Sequence, residues 1–362
     1  MKLQIRNGDF TFVSKLRYFG SQIRGTDGFW RSKTEELETW IDYHVTQGHG
    51  PPTHFITLTC AENWWPDLKR ILSNNDEGTE TNTPQNNLTQ FRNHCRNVRK
   101  KSLYVNQFFM NRAKIFMDTF ARTTLGIEHY WGRVEFAGGR GQIHIHLLGI
   151  AKHKGYLPDF YAARTEKDKV EVLRKYARDE MGMTADVEVS DNSNSRDFEA
   201  VLQESHLSKK FCEVSDSDED HINLVRNCMF HTCSDYCLGP KNKNKEKCRS
   251  CRFGFGTESE PNNYKTPGKE HTSEAKIYKD HKGVEHQLLP RQHSKFAMQH
   301  SRPLLQAWRA NADMQLLIYR SNPDVPDISE IQNVCRYVVS YAGKRYQTTK
   351  QERIMIQDII AK

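Results

Sequence analysis

The spacing of apolar side chains predicts helices in several parts of the chain. Residues 32–45 carry apolar side chains at helical spacing after a Ser-x-x-Glu capping pattern, and Gly48 and Gly50 end that pattern. A second helix is predicted to begin near Pro66. Helical spacing recurs in later segments, which are 104–125, 159–181, 304–317 and 331–341.

Alternation of apolar and polar residues predicts β-strands between these helices. The strand segments are rich in β-branched and aromatic residues and are predicted at 53–60, 130–136, 143–150 and 185–189. A glycine-rich connection over 137–141 joins two of them in the manner of a hairpin, so Glu135 is expected close to the next strand. Residues 73–90 are rich in Asn and Thr and predict a surface loop. Together these patterns predict an α+β fold with an antiparallel β-sheet flanked by helices.

The length of 362 residues predicts about two or three compact units. We predict an N-terminal helical subdomain, a sheet-containing core, a cysteine-rich insertion and a C-terminal helical part, at 1–52, 53–206, 207–270 and 271–362. The sequence has no run of about 18 apolar residues and no apolar stretch near Met1. We therefore expect an intracellular protein with no membrane partner.

The formal net charge of +8 is unevenly distributed along the chain. Basic residues cluster over 92–101, whereas residues 213–220 are acidic, and a basic cluster suits a polyanionic partner. Single-stranded nucleic acid exposes phosphates and base faces, so we expect contacts from cations and aromatic rings. The candidates are Arg96, Arg99, Lys100, Lys101, Arg249, Trp64 and Trp65, and for the two tryptophans a place in the core is an equal alternative.

Two histidines within one predicted strand are candidate metal ligands. His144 and His146 are two residues apart, and a β-strand directs such residues to the same face. An isolated pair of this kind is also typical of a solvent-facing strand. Two imidazoles leave a divalent cation short of negative charge, so a carboxylate is expected as well; Glu135 is the best candidate, and Gln142 and Glu128 are weaker ones.

Two tyrosines in the last predicted helix are candidate nucleophiles. Tyr337 and Tyr341 are four residues apart, which places them on one helix face, and Lys344 follows. A tyrosine hydroxyl has a pKa of about 10, so it attacks phosphorus at neutral pH only with help from a cation. Mg²⁺ or Mn²⁺ at the histidines fits that task. Alone, paired tyrosines are more often aromatic residues at the edge of a core.

The cysteines indicate a zinc site. Five of the nine cysteines lie between Cys228 and Cys251, and the odd total argues against a disulfide framework. Cys233-x3-Cys237 and Cys248-x2-Cys251 have the spacing of a tetrahedral zinc site. With four protein ligands, Zn²⁺ has no open position, so we expect a structural role or a role in docking DNA.

The order of these motifs resembles the two-tyrosine HUH endonucleases, and more closely the Rep nuclease portion of Helitron rolling-circle transposases. The segments that carry the resemblance are 55–68, 133–136, 140–141, 251–255, 302–313 and 336–344. The resemblance implies an HUH nuclease core that nicks single-stranded DNA and retains the 5′ phosphate on a tyrosine.

The resemblance also implies roles for individual residues. His144 and His146 match the metal-binding pair of the family, Tyr337 and Tyr341 match its nucleophiles, and Lys344 matches its trailing lysine. Glu135 corresponds approximately to the third metal ligand. For zinc, the family pattern favours His231, Cys233, Cys237 and Cys251, which leaves Cys228 and Cys248 over, so the fourth ligand stays open.

Helitron proteins combine this nuclease with a helicase, yet this sequence has no Gly-x4-Gly-Lys-Ser/Thr segment. The expected partners are therefore single-stranded DNA at transposon ends and targets, and a helicase. In a eukaryotic host we expect nuclear residence. Two alternatives remain open: a plasmid or viral rolling-circle initiator or relaxase, and a catalytically inactive zinc-dependent DNA-binding module.

Overall fold

The computed structural model describes residues 27–74, 87–136, 142–187, 217–231, 237, 251, 255, 272–280, 283–293, 296–321 and 327–342. The helices are α1 (Asp27–Thr46), α2 (Pro66–Asn74), α3 (Asn87–Lys100), α4 (Ser102–Phe116), α5 (Leu157–Ala162), α6 (Glu166–Lys175), α7 (Asp218–Leu224), α8 (Arg302–Trp308) and α9 (Ile328–Ala342). The strands are β1 (His54–Thr59), β2 (Ile127–Phe136), β3 (Ile143–Ala151), β4 (Met183–Thr184), β5 (Lys276–Lys279), β6 (Glu285–Leu288), β7 (His300–Ser301) and β8 (Ala312–Leu316).

The central feature is a four-stranded sheet in the order β2-β3-β1-β8, in which every neighbouring pair is antiparallel. Two small antiparallel pairs, β4 with β7 and β5 with β6, complete the described strands. The chain is thus a mixed α+β protein with antiparallel sheets, as the alternation pattern predicts. None of the described helices is both long enough and apolar enough to cross a membrane.

One face of the main sheet is apolar, and the other, called the polar face here, combines polar side chains with Phe55, Leu148 and Trp131. Residues opposite each other in an antiparallel pair point to the same face, and successive residues alternate between faces. Thr57 lies opposite His146 on one side and opposite Asp313 on the other. The polar face therefore carries the following side chains: Arg133, Glu135, His144, His146, Thr57, Thr59, Asp313 and Gln315.

The apolar face belongs to the main hydrophobic core. Its strand residues are Ile56, Leu58, Ile145, Leu147 and Met314, and they share one buried cluster with residues of α1, α4, α8 and α9. At Gly132 of β2, a Cβ atom would lie 2.5 Å from the Leu147 Cδ2 atom, so a larger residue there would displace the Leu147 side chain. Packing against the core holds the sheet in place, and the polar side chains of the opposite face are not part of this packing.

The helix predicted over 304–317 is wrong in its second half. Helix α8 ends at Trp308, because Arg309 adopts a left-handed conformation with φ 59°. After Asn311 the chain forms β8, where buried Ala312, Met314 and Leu316 alternate with Asp313 and Gln315. The apolar spacing here fits a strand as well as a helix, and pairing with β1 decides the outcome.

Other elements differ from prediction by smaller amounts. The strand predicted over 185–189 is instead at Met183–Thr184, where it pairs with His300–Ser301; Ala185 to Val187 are not in a strand. Helix α1 begins at Asp27, so Ser32 is inside the helix and does not cap it. The predicted helix over 159–181 is divided into two helices at Thr165. The Thr165 hydroxyl accepts a hydrogen bond from the Asp168 backbone N–H and so caps the start of the second helix. Most of the predicted insertion at 207–270 is outside the described residues.

Candidate functional site

The hairpin of β2 and β3 brings the predicted metal ligands together. Glu135 lies directly opposite His144, and Arg133 lies opposite His146. All four side chains share the polar face of the sheet. The expectation that Glu135 neighbours the histidines is therefore met by the strand register.

His146 is held through both of its ring nitrogens. Its Nε2 lies 3.0 Å from Glu135 Oε2, and its Nδ1 lies 3.0 Å from Thr57 Oγ1. When Nε2–H donates to the carboxylate, Nδ1 of a neutral imidazole accepts from the Thr57 hydroxyl. The ring also stacks on Phe55, with centroids 5.7 Å apart and planes at 22°. His146 is consequently fixed in position at the bottom of the site, where its side chain is 8% exposed.

His144 is close to this pair but less tightly associated with it. The rings of His144 and His146 have centroids 6.2 Å apart. Two other groups of three residues in the described part of the chain have candidate ligand atoms that all lie within 4.8 Å of one another. The candidate ligand atoms of Glu135, His144 and His146 are more widely spaced than this. A cation held by all three residues therefore requires a side-chain rotation at His144 or Glu135.

Strand β8 adds a carboxylate that sequence reasoning missed. Asp313 lies opposite Thr57, and Gln315 Nε2 donates to Asp313 Oδ2 at 2.7 Å. The signal was present as the alternation of residues 312–316, but the adjoining helical spacing of α8 concealed it. Asp313 is a further candidate for holding a cation or a water molecule in the cavity that His146 also lines.

A cavity of about 360 Å³ opens from the polar face of the sheet. His146, Thr57 and Asp313 line its sheet side. The cavity is also lined by residues of 278–311, which include Tyr278, His286, Gln287, Arg291, Gln299 and Asn311. Arg291 is 2% exposed, so a nearly buried guanidinium lines the cavity that contains His146. This combination of carboxylate, imidazole and guanidinium suits a phosphate-containing ligand with a cation.

The two tyrosines lie in the helix that the sequence predicts. The backbone of Tyr337 and Tyr341 is within α9, which contacts α1 and β2. Ile331, Val334 and Cys335 of this helix are buried in the main core. The helix is thereby attached to the strand that carries Glu135, while the tyrosine side chains and Lys344 are outside the described part of the chain.

Three of the predicted zinc ligands form a compact group. The candidate ligand atoms of His231, Cys237 and Cys251 lie within 4.8 Å of one another, and Cys251 Sγ is 3.2 Å from His231 Nε2. Phe255 stacks on His231 with centroids 4.6 Å apart. Cys233 and Cys248, the candidates for a fourth ligand, lie outside the described residues. The three placed residues have the donor types and the proximity that Zn²⁺ requires.

The predicted DNA contacts divide into exposed and buried residues. Arg96, Arg99 and Lys100 are exposed on α3, whereas Lys101 Nζ donates to the Leu72 carbonyl at 2.7 Å. Arg249 is not within the described residues.

The stacking prediction for Trp65 is wrong because Trp65 is fully buried. Its Nε1 donates to the Arg309 carbonyl, and it packs edge-on against Trp308. Trp64 is half-buried, with Phe91 beside it and Lys69 over its ring. Only Trp64 of this pair keeps an accessible surface.

Comparison with known families adds an independent finding. Residues 5–149 match the family described as "Helitron helicase-like domain at N-terminus". The match includes β1, β2 and most of β3, and with them Glu135, His144 and His146; the Cys/His group and the tyrosines lie beyond it. No curated protein matches the chain. The match shows that residues 5–149 are similar to the N-terminal helicase-like domain of Helitron proteins.

Proposed function

We propose that this Helitron-related chain is a metal-dependent single-stranded DNA endonuclease and strand transferase that forms a 5′-phosphotyrosine intermediate in rolling-circle transposition. The observation that carries the proposal is the contact of the Glu135 carboxylate with His146 Nε2 at 3.0 Å, beside His144 on one face of the sheet. The Helitron-like match over the same strands supports it.

The residues of the polar face fit a divalent cation. Glu135 supplies a carboxylate and His144 and His146 supply imidazoles, a mixed oxygen and nitrogen donor set that suits Mn²⁺ and, less well, Mg²⁺. Such a cation, when bound, polarises the phosphate and neutralises developing charge. Thr57 supports the fit, because a ligating imidazole is usually oriented by a hydrogen bond at its other nitrogen.

The remaining residues of the cavity position the DNA. Arg291 provides a charge-assisted partner for a backbone phosphate. Tyr278 offers an aromatic ring in the lining of the cavity. Exposed Arg96, Arg99 and Lys100 extend the basic surface along α3.

In the proposed reaction, a phenolate oxygen of Tyr337 or Tyr341 attacks a backbone phosphorus. A bond forms between phosphorus and the tyrosine oxygen as the bond between phosphorus and the 3′ oxygen breaks. The tyrosine proton passes to solvent or a nearby base, and the departing 3′ oxygen takes up a proton to become a hydroxyl. One phosphodiester replaces another, so the bond energy is kept for rejoining. The second tyrosine repeats the exchange on another strand, and Lys344 stabilises the phosphate or the phenolate.

The Cys/His group is assigned Zn²⁺ in a structural role, with Cys233 or Cys248 as the fourth ligand. The His231 backbone N–H donates to the Phe296 carbonyl, and Met298, two residues later, lines the cavity. A fold held by zinc at this position therefore supports the wall of the cavity that faces His146.

The test uses a single-stranded oligonucleotide labelled at its 3′ end, because the fragment downstream of the nick becomes attached to the protein. With Mn²⁺ or Mg²⁺ we expect a labelled covalent adduct. The double variant Tyr337→Phe, Tyr341→Phe should abolish it, and His146→Ala should reduce it by about 100-fold or more. The control is Tyr104→Phe, at an exposed tyrosine of α4. Full cleavage by the double variant would refute the mechanism.

The Cys/His group also favours a second candidate, an inactive zinc-dependent DNA-binding module. Such a module predicts zinc-dependent binding of DNA without an adduct under any metal condition. A rolling-circle initiator or relaxase predicts adducts confined to one origin sequence. Oligonucleotides of varied sequence, assayed for binding and for adduct, separate the three functions.

A further inference from the structure

Three histidine rings meet at the end of the sheet away from Glu135, His144 and His146, which form the proposed nuclease centre. His44 is at the C-terminal end of α1, His49 is in the turn before β1, and His129 is near the start of β2. Ring centroids are 5.2 Å apart for His44 and His49, 4.4 Å for His44 and His129, and 4.5 Å for His49 and His129. His44 is buried and the other two are half-buried.

The end of α1 explains how two of these rings come together. The His49 backbone N–H donates to the His44 carbonyl, and the Gly48 backbone N–H donates to the Val45 carbonyl, both at 3.0 Å. Gly48 has φ 79°, which completes a Schellman motif. In this motif the side chains at the positions of His44 and His49 normally make an apolar contact. Here both side chains are imidazoles, and their Nδ1 atoms are 3.0 Å apart.

The third ring comes from the edge strand of the sheet. The register of β2 and β3 shifts between Ile127 and His129, so a local irregularity directly precedes His129. Such irregularities re-aim side chains. His129 and Glu135 are six residues apart on β2, which is roughly 20 Å along a strand. The cluster is therefore separate from the nuclease centre.

The spacing of the nitrogens suits a tetrahedral metal ion. One candidate ligand atom from each ring lies within 4.8 Å of the others, and the Nδ1 atoms of His44 and His49 are 3.0 Å apart. Zinc–nitrogen bonds of about 2.0–2.1 Å in a tetrahedron place two ligand nitrogens roughly 3.3 Å apart. Burial, with contributions from His129 and His49, lowers the pKa of His44 to about 4, and burial lowers that of His129. These shifts favour the neutral form of His44 and His129, which is the form that binds metal.

We infer that His44, His49 and His129 form a binding site for a borderline divalent transition metal, of which Zn²⁺ fits best. An all-imidazole donor set does not suit Mg²⁺ or Ca²⁺, which prefer oxygen ligands. Three protein ligands leave a fourth position for water or an exogenous ligand. The ion ties the end of α1 and the following turn to β2, and it is additional to the zinc assigned to His231, Cys237 and Cys251.

The test measures zinc bound to the full chain after equilibrium dialysis against buffered Zn²⁺. The variants His49→Gln and His129→Gln should each retain about one equivalent less than the parent protein. Loss of a residue that only orients a ligand lowers metal affinity by roughly 10- to 100-fold. We expect the zinc affinity of this site to fall by more than that in each variant, because each variant removes a ligand. His153→Asn is the matched control, because His153 is exposed and its φ of 53° is tolerated by Asn. Unchanged zinc content in both variants would overturn the site.

A second measurement needs no variant and keeps the inference testable if a variant misfolds. Diethyl pyrocarbonate modifies accessible imidazoles, and mass spectrometry maps the modified residues. Added Zn²⁺ should protect His49 and His129 and leave His153 reactive. Equal modification of His49 and His129 with and without Zn²⁺ would contradict the inference, whatever happens at His144 and His146.

Discussion

At the scale of single residues, His146 is the most constrained group of the candidate nuclease centre. Thr57 and Glu135 hold its two nitrogens, and Phe55 covers one face of its ring. Each contact comes from a neighbouring strand, so the ring orientation is set by the register of the sheet. A side chain that is already oriented before the metal binds loses less conformational entropy on binding.

Removing the Thr57 hydroxyl tests this arrangement. We expect Thr57→Val to raise the Mn²⁺ concentration needed for half-maximal cleavage by about 10- to 100-fold, because it removes the partner that orients His146. The rate at saturating Mn²⁺ should change little, and Thr57→Ser should restore the normal metal dependence. The control is Thr123→Val, at an exposed threonine whose hydroxyl donates to the Thr119 carbonyl. An unaltered metal dependence in Thr57→Val would refute a positioning role.

At the scale of secondary-structure elements, the end of α8 depends on a buried ion pair. Arg309 Nη1 and Nη2 lie 2.9 Å and 3.0 Å from the two carboxylate oxygens of Asp220, and the side chains are 0% and 2% exposed. This pair attaches α7 to the left-handed residue that ends α8 and directs the chain into β8. The position of Asp313 in the cavity therefore depends on Asp220 as well as on the sheet.

Loss of the Asp220 carboxylate should unfold this connection. We expect Asp220→Ala to reduce the free energy of unfolding by about 3–5 kcal/mol, because it leaves the Arg309 charge buried. Asp218→Ala is the matched control in the same helical turn: Asp218 is 85% exposed and pairs with Arg302, so we expect a loss of about 0–1 kcal/mol. Chemical denaturation measures both, and equal losses would contradict the assignment.

The sequence predicts β1, β2 and β3 well because their alternation is long and a glycine-rich connection joins two of them. It does not predict β8, since five residues beside a helix carry too short a pattern. The wall of the cavity over residues 278–299 has no strong periodicity and is positioned by contacts distant in sequence. Residue types therefore indicate the metal ligands, whereas the complete site depends on tertiary packing.

At the scale of the whole molecule, buried histidines link folding to pH. His54, His221 and His300 are buried, and His221 Nε2 lies 2.9 Å from His300 Nε2. Burial lowers the pKa of His54 to about 3 and those of His221 and His300 to about 4. The nearby His300 and Arg302 lower the pKa of His221 further, whereas Asp218 and Asp220 raise it.

These shifts predict acid sensitivity. Below pH 6.5 the unfolded chain takes up protons that the folded chain excludes, so stability falls as the pH drops from about 6.5 towards 4. Denaturation at pH 7, 6 and 5 should show the decline, and His300→Gln should reduce its slope. His153→Asn should leave the slope unchanged. A free energy of unfolding that is constant over this range would contradict the prediction.

The strand register has a consequence for how the chain can vary between related sequences. Because Glu135 faces His144 by pairing, a single-residue deletion within β2 would turn the carboxylate to the apolar side. Insertions in the connection over 137–141 leave the same pairs in place. Natural length variation is therefore expected to accumulate in the connection, and a constant number of residues should separate Gly132 from Glu135.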